Sequence, residues 1–384
     1  MKSFQFDTVN SIQFEWGAAR RLGDILGAIR PERQLLLVTD KILRQLGTLD
    51  QAVASLQQSG FTVTIFDEVV ADPPEQILMR CAAIARQSGI DIVVGLGGGS
   101  SLDIAKLAAL LARSDQPLCE LYGIGNVRGE RLALVQIPTT AGTGSEVTNI
   151  SILTTGETTK MGVVSKQLYA DLVILDGELT LGLPRSHTAA TGIDAMVHAI
   201  EAFTSRHKKN PVSDALAREA LHLLSSHIET ACNDGQNREA REAMLLGSML
   251  AGQAFANAPV AAVHALAYPL GGHYHIPHGL SNALMLGPVL RFNMKVAAPL
   301  YAELADVLAL DPSGETEHRA LRFVTYLEGL MDRTGAPRRL RDVKVERRDL
   351  GMLASEAMKQ QRLLVNNPAE VDQAAALKIY EAAF

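Results

Sequence analysis

The 384-residue sequence contains few cysteines, and the three present are far apart. Cys81, Cys119 and Cys232 form no CxxC pair, which argues against cysteine ligation of a metal and suits a reducing cytoplasm. The N-terminal stretch lacks the apolar run of a secretory signal peptide. No run of about 18 apolar residues occurs, so we expect no membrane-spanning helix and no membrane partner.

Positive charge is not concentrated anywhere in the chain. The formal net charge is −6, and no basic block or interleaving of Lys/Arg with aromatic residues occurs. Nucleic acid is therefore not an expected partner. Hydrophobic residues make up 47% of the sequence and charged residues 20%, as in a well-buried globular protein. Because 384 residues exceed one ordinary core, we expect two domains.

Histidine is absent from the first 186 residues, although the chain contains ten. Nine of the ten fall between His187 and His278. We interpret this uneven distribution as a sign that the N-terminal and C-terminal halves have different functions.

Residues 1–185 alternate strand-like apolar runs with helical segments. Two short runs predict a hairpin at 4–16, and further strands are predicted at 35–40, 62–68, 91–99, 133–140 and 171–176. Strands alternating with helices predict an α/β domain with a mostly parallel, doubly wound sheet.

Residues 186–384 show almost only helical periodicity, punctuated by proline and glycine. The predicted helices are 193–205, 212–232, 237–256, 259–270, 281–291, 296–309, 317–333 and 368–382. The predicted fold class is therefore an α/β domain over residues 1–185 followed by an all-helical domain over residues 186–384.

A glycine-rich loop follows the apolar run "DIVVGL" and precedes a helix. Glycine lets the backbone approach a ligand closely, and the free N–H groups of a helix start favour phosphate. The loop matches neither GxGxxG nor GxxxxGK[ST], and a tight turn without a ligand is the alternative. Its residues are Gly97, Gly98, Gly99, Ser100 and Ser101.

Two further strand ends carry candidate nucleotide-binding residues. Thr139 and Thr140 follow "ALVQIP"; an ordinary loop is the alternative, but two such loops after two strands suggest a dinucleotide cleft. Asp40 ends "LLLVTD", where a carboxylate can accept from a ribose diol and repel a 2′-phosphate. This predicts NAD rather than NADP. Helix N-capping is the alternative role of Asp40.

Asp194 and His198 lie four residues apart in the apolar stretch "GIDAMVHAIEAF", so they share one helix face. His264 and His278 flank the segment "HALAYPLGGHYHIPH". Each could be a hydrogen-bonded core residue, but together they can converge on one divalent ion. An O,N,N,N donor set suits Fe²⁺ or Zn²⁺. Such an ion beside a dinucleotide cleft predicts hydride transfer at a carbon that bears oxygen.

The sequence resembles the iron-containing (group III) alcohol dehydrogenase family over essentially its whole length. The motifs are "GLGGGSSLDIAK", "IPTTAGTGSEVTNISIL", "ADLVILDGELTLGLPRSHTAATGIDAMVHAIEAFTS" and "HALAYPLGGHYHIPHGLSNALMLGPVLRFN". The resemblance implies a dehydroquinate synthase-like fold, in which an N-terminal α/β domain binds the nucleotide, a helical C-terminal domain binds the metal and the substrate, and the active-site cleft lies between them. It also implies a homodimer and NAD-linked oxidation of a small primary alcohol or diol. It implies the metal ligands Asp194, His198, His264 and His278. It also implies that Gly97–Ser101 holds the pyrophosphate, that Thr139, Thr140 and Lys160 line the nucleotide site, and that Asp40 meets the adenosine ribose.

Two departures from the family pattern concern the active site. Many members have a histidine one turn after the first ligand of "HAxxHPLG", where this chain has Tyr268. Tyr268 or His275 could then carry the proton, and mere packing is the alternative for Tyr268. Asp72 replaces the asparagine of a common Asn-Pro pair. A transhydrogenase that retains its nucleotide, or a catalytically silent binder, remains an alternative function.

Overall fold

The computed structural model describes residues 3–156 and 158–384. The chain forms two compact units. The α/β unit comprises Asp7–Thr140 and Gly144–Gly182. The helical unit comprises Leu183–Phe384 together with two short segments, Ala141–Thr143 and 3–6.

The α/β unit contains nine strands and six α-helices among its described residues. In chain order they are β1 (Ile12–Phe14), α1 (Leu22–Ile29), β2 (Gln34–Asp40), α2 (Lys41–Gln45), α3 (Asp50–Gln58), β3 (Thr62–Val69), α4 (Glu75–Gln87), β4 (Ile92–Gly97), α5 (Gly99–Leu111), α6 (Leu118–Leu121), β5 (Gly123–Ile124), β6 (Ala133–Pro138), β7 (Ile150–Thr155), β8 (Thr159–Val164) and β9 (Leu172–Leu175).

Six strands form one parallel sheet in the order β1-β9-β6-β4-β2-β3. Every residue of β4 is buried, as expected for a central strand with both faces covered. From β2 the chain passes to β3 on one side, and the later strands add on the other side. The predicted α/β fold class is confirmed, and the order of the strands reverses direction between β2 and β4.

Two features of the α/β unit differ from the sequence prediction. The predicted N-terminal hairpin is wrong, because only Ile12–Phe14 is a strand and it pairs in parallel with β9. A second sheet in the order β5-β8-β7 was not predicted. Its longer strands, "ISILTT" and "TKMGVV", have few buried positions and weak apolar alternation, so periodicity alone does not reveal them.

The helical unit contains nine α-helices among its described residues. They are α7 (Arg185–Thr204), α8 (Pro211–Asn233), α9 (Arg238–Asn257), α10 (Ala262–Tyr274), α11 (His278–Val307), α12 (Thr316–Thr334), α13 (Leu350–Ala357), α14 (Gln361–Leu364) and α15 (Gln373–Ala383). The prediction that the second half is helical is confirmed.

Proline and glycine interrupt these helices less than predicted. Helix α11 runs unbroken from His278 to Val307 and contains two prolines, Pro288 and Pro299, whereas two helices separated at 292–295 were predicted. Helix α10 passes Pro269 and both following glycines and ends at Tyr274. A proline inside a helix removes a hydrogen bond and crowds the preceding turn. Here α11 packs against α7, α10 and α12, and this burial outweighs the local preference for a break.

Within residues 3–156 and 158–384, each helix is too short or too polar to cross a membrane.

Candidate functional site

Helix α7 supplies the first two residues of the candidate metal centre. Its second half is buried all round, because alanine, isoleucine, methionine, valine and phenylalanine surround the polar residues. Asp194 is 1% exposed and His198 is 4% exposed. A carboxylate and an imidazole in such surroundings must have polar partners, since leaving either without one would cost several kcal/mol.

His264 and His278 come from the first turns of α10 and α11. Gly279 brings the start of α11 against α7, because a Cβ atom at this position would lie 2.6 Å from the backbone oxygen of Ala190. No larger residue could make this approach without a backbone shift. The close contact places His278 beside Asp194, with 3.9 Å between Nε2 and Oδ2.

The four predicted side chains lie together. One donor atom from each of Asp194, His198, His264 and His278 lies within 4.8 Å of the other three. Atoms that share an ion with bonds of about 2.1 Å are separated by roughly 3–4 Å. Three of the four residues are buried, while the His278 side chain is 31% exposed and leaves one side of the cluster accessible.

Hydrogen bonds fix which ring nitrogens face the cluster. His264 Nδ1 lies 2.7 Å from Glu201 Oε2, and His198 Nδ1 lies 3.2 Å from the backbone oxygen of Gly142. Both oxygens only accept, so each Nδ1 carries the proton. The Nε2 lone pairs of His198 and His264 therefore face each other across 2.9 Å. Two lone pairs at that distance repel unless a cation lies close to both.

The donor chemistry of the cluster suits a divalent transition metal. Burial and repulsion from His264 and His278 lower the pKa of His198 well below its usual range, which keeps its imidazole neutral and able to bind metal. Imidazole ligands favour Fe²⁺ or Zn²⁺ over Mg²⁺ or Ca²⁺. The residues present thus fit a metal ion that retains an open position for substrate.

Sequence reasoning missed three residues that hold this cluster. Glu201 and Gly142 accept from the two histidines, and Asn282 Nδ2 donates to Asp194 Oδ1 at 2.6 Å. A signal for Glu201 was available, because the spacing of Asp194, His198 and Glu201 is i, i+4, i+7 and places all three on one face of α7. Gly142 and Asn282 had no comparable signal, because no spacing rule links them to α7.

The two predicted proton-transfer residues have different surroundings. Tyr268 lies one turn after His264 and is 9% exposed, and its ring centroid is 6.0 Å from that of His278. His275 is exposed and occupies the left-handed position that ends α10. Tyr268 therefore lies against the cluster, whereas His275 lies at a helix end beyond it.

The predicted nucleotide-binding residues other than Lys160 gather at one edge of the large sheet, whereas Lys160 lies on β8 of the second sheet. Strand β4 is hydrogen-bonded to β2 on one side and β6 on the other, so Asp40, the loop Gly97–Ser101 and Thr139–Thr140 all follow neighbouring parallel strands. Helix α5 begins at Gly99 without a side-chain cap, which leaves its first N–H groups for a ligand. Open α/β sheets bind ligands at this edge, where the strand order reverses, and here that place lies between β2 and β4.

Asp40 and Lys160 have protein partners within the α/β unit. Asp40 Oδ1 accepts from the backbone N–H of Leu43 at 3.0 Å, so the helix-cap role is confirmed. The second carboxylate oxygen of Asp40, Oδ2, does not take part in this hydrogen bond. Lys160 Nζ lies 2.6 Å from Asp72 Oδ1, and Asp72 has a left-handed backbone that asparagine and aspartate tolerate well. Asp72 thus forms an ion pair with Lys160.

Lys106 links helix α5 to the segment 145–150. Its ammonium group is fully buried and donates to Ser145 Oγ at 2.8 Å, Thr148 Oγ1 at 3.1 Å and the backbone oxygen of Ile150 at 2.7 Å. Burial lowers the pKa of Lys106, and the Asp103 carboxylate, 3.5 Å away, opposes that shift. The lysine therefore fastens α5 to the segment that follows Thr139–Thr140.

Comparison with known proteins agrees with this geometry. Residues 10–177 match the iron-containing alcohol dehydrogenase family, and residues 188–384 match the C-terminal domain of that family. The chain belongs to the iron-containing alcohol dehydrogenase family. It is 41% identical over 373 residues to the long-chain-alcohol dehydrogenase 1 of Geobacillus thermodenitrificans, covering 96% of this chain and 94% of that protein.

Solved structures of the family have the same fold. The crystal structure of a 1,3-propanediol oxidoreductase superposes with a TM-score of 0.96, at 34% identity and with 100% of both chains covered. The NAD⁺ complex of a sulfoacetaldehyde reductase from Bifidobacterium kashiwanohense superposes with a TM-score of 0.88, at 29% identity, covering 100% of this chain and 99% of the other. As a member of this family, the protein is a metal-dependent, NAD-linked alcohol dehydrogenase.

Proposed function

We propose that this iron-containing alcohol dehydrogenase oxidises a small primary alcohol or diol and reduces the corresponding aldehyde, with Asp194, His198, His264 and His278 as its metal ligands. The observation that carries the ligand assignment is the pair of Nε2 lone pairs 2.9 Å apart, each fixed by a hydrogen bond on the other ring nitrogen. A bound ion would polarise the substrate oxygen as a Lewis acid.

Each predicted site residue has a role in the proposed reaction. The four ligands would hold the ion, and the accessible side of the cluster, beside His278, would receive the substrate oxygen. Tyr268, against the same side, is placed to pass the alcohol proton toward solvent, and exposed His275 is a second candidate for this transfer. At the sheet edge, Asp40 binds the adenosine ribose, and the pyrophosphate is bound by Gly97, Gly98, Gly99, Ser100 and Ser101. Thr139 and Thr140 line the nucleotide site together with Lys160 of β8.

The experiment that tests the proposed function is anaerobic reconstitution with Fe²⁺ and, separately, with Zn²⁺, followed by NADH formation over a panel of alcohols. The panel includes C2–C4 alcohols, 1,3-propanediol and long-chain alcohols, because relatives are named for the latter two. Release of free NADH supports the dehydrogenase. Hydride exchange between two substrates without release of free NADH favours a transhydrogenase. The absence of any reaction with every combination of alcohol and metal favours a catalytically silent binder.

We further propose that the enzyme is a homodimer of the cytoplasm. The edge strand β1 exposes Ile12 and Phe14, at 36% and 43%, and an exposed apolar edge suits pairing with a second copy. The three cysteines are free thiols, which suits a reducing compartment. Light scattering and cell fractionation test these two statements.

Asp40→Gly should weaken NAD use and admit NADP. The substitution removes both the ribose acceptor and the charge that repels a 2′-phosphate. A charge-assisted hydrogen bond contributes roughly 1.5–3 kcal/mol, so we expect a ten- to hundredfold fall in kcat/KM for NAD. Glycine tolerates the N-cap position, so the helix-cap role should cost only a few tenths of a kcal/mol.

Asp40→Asn is the matched control for this prediction. It keeps the acceptor for Leu43 N–H but loses the charge, so NADP use should rise while the thermal midpoint stays close to that of the wild type. kcat/KM for both cofactors is measured in all three proteins. A wild-type enzyme that uses NADP as well as NAD would show the proposed cofactor role of Asp40 to be wrong.

Tyr268→His should change the pH dependence of turnover while the metal content stays intact, because position 268 lies beside the cluster without belonging to it. Tyr268→Phe should lower kcat by about tenfold, less than the roughly hundredfold that a sole general acid or base supplies. Both variants are assayed from pH 5 to 10 with elemental analysis alongside. Unchanged profiles and substrate constants would leave Tyr268 as a packing residue.

A further inference from the structure

Glu201 lies on the same face of α7 as Asp194 and His198, one turn beyond His198. It is 4% exposed, and its carboxylate accepts three hydrogen bonds. Oε1 accepts from the backbone N–H of Val263 at 2.7 Å. Oε2 accepts from the backbone N–H of Ala261 at 2.9 Å and from His264 Nδ1 at 2.7 Å. One side chain thus holds both the start of α10 and the histidine on its first turn.

The backbone contacts of Glu201 replace a missing helix cap. Helix α10 begins at Ala262, and Ala261 at the N-cap position has no side-chain oxygen to accept from the first N–H groups. A carboxylate at this end also interacts favourably with the helix dipole. Glu201 therefore sets the position of the first turn of α10, and with it the backbone of His264.

The contact with His264 fixes the chemistry of its ring. A carboxylate oxygen at 2.7 Å accepts a hydrogen bond and cannot donate one, so Nδ1 keeps its proton and Nε2 keeps its lone pair. Nε2 is the nitrogen that faces the cluster, 3.9 Å from Asp194 Oδ1 and 2.9 Å from His198 Nε2. The other tautomer would direct an N–H group at the ion.

We propose that Glu201 is a positioning residue of the metal centre, which sets the tautomer and the location of His264 so that Nε2 is ready to bind the ion. This inference rests on the proposed role of His264 as a ligand. Carboxylates that accept from metal-bound histidines commonly change metal affinity by 10- to 100-fold when they are removed. Nothing in the inference requires Glu201 to contact the ion or the substrate.

Glu201→Gln tests the inference with almost no change in side-chain size. The amide has one acceptor oxygen for three N–H donors, so its NH₂ group must face Val263 N–H or the pair formed by Ala261 N–H and His264. In the second arrangement Nδ1 must become the acceptor, and the proton moves to Nε2. We expect the Zn²⁺ dissociation constant, measured by chelator competition on metal-free protein, to rise roughly 10- to 100-fold.

The tautomer itself supplies a readout that a purely structural role would not change. Long-range proton–nitrogen NMR correlations on ¹⁵N-histidine-labelled, metal-free protein distinguish Nδ1–H from Nε2–H, and the His264→Ala spectrum assigns the signal. The wild type should show Nδ1–H at His264, and Glu201→Gln should show a raised fraction of Nε2–H. If Glu201→Gln does not fold, Glu201→Asp retains a carboxylate but withdraws it from His264, and should raise the dissociation constant about tenfold.

Glu146→Gln is the matched control, since Glu146 is also buried, at 1% exposure, but belongs to the α/β unit. Its Zn²⁺ affinity should equal that of the wild type. The inference would be overturned if folded Glu201→Gln bound Zn²⁺ with wild-type affinity and kept the wild-type tautomer of His264. It would also be overturned if Glu201→Asp bound Zn²⁺ with wild-type affinity. If His264→Ala also retained wild-type affinity, the proposed metal site itself would fail; if it lost affinity, only the role of Glu201 would.

Discussion

Replacing His264 with alanine is expected to remove most of the bound metal and to lower kcat/KM by roughly a thousandfold or more. The methyl group cannot replace a ligand nitrogen that lies 2.9 Å from His198 Nε2 and 3.9 Å from Asp194 Oδ1. Lewis-acid stabilisation of charge on a substrate oxygen supplies several kcal/mol, and each 1.36 kcal/mol lost is tenfold in rate. Metal content by elemental analysis and NADH formation measure the two effects.

His273→Ala is the matched control, because His273 lies on the same helix but outside the cluster. It should keep its metal. NAD⁺ binding, followed by calorimetry, should survive in both variants, since the predicted nucleotide-binding residues belong to the α/β unit. Full metal occupancy in His264→Ala would refute the proposed ligand set.

The convergence of the four metal-site side chains was predictable because strong local rules apply to them. Two polar residues four apart in an apolar helix must share a face, and buried polar groups must find partners. The sheet edge was predictable for a similar reason, since Asp40 and the glycine loop each end an apolar strand. In these places the periodicity of the sequence and the packing of the fold agree.

The sequence could not reveal contacts that depend on packing between distant segments. The acceptor for His198 is the backbone oxygen of Gly142, which any residue type supplies. The close approach at Gly279 is visible only once α7 and α11 are in place. The gap predicted between residues 291 and 296 is absent from α11, because local periodicity carries no information about the burial that keeps this helix continuous.

Lys106→Met should destabilise the α/β unit by about 3–5 kcal/mol, the usual effect of removing one partner from a buried charge pair. The substitution leaves Asp103 beside an apolar side chain and removes the donor to Thr148 Oγ1 and the Ile150 oxygen. Trp16 is the only tryptophan of the chain and lies in the α/β unit, so its fluorescence during urea unfolding measures the free energy of unfolding there.

Lys166→Met is the matched control, because Lys166 pairs with Asp7 at 3.0 Å in the same unit but is 60% exposed. An exposed pair contributes about 0–1 kcal/mol, so this variant should unfold near the wild-type urea concentration. Adding Asp103→Asn to Lys106→Met should recover part of the lost stability, since the uncompensated carboxylate is then gone. Equal stability of the two lysine variants would show that Lys106 does not hold α5 to the segment 145–150. A loss of stability confined to Lys106→Met, accompanied by weaker NAD binding, would show that the buried ammonium maintains the spacing of the predicted nucleotide-binding loops.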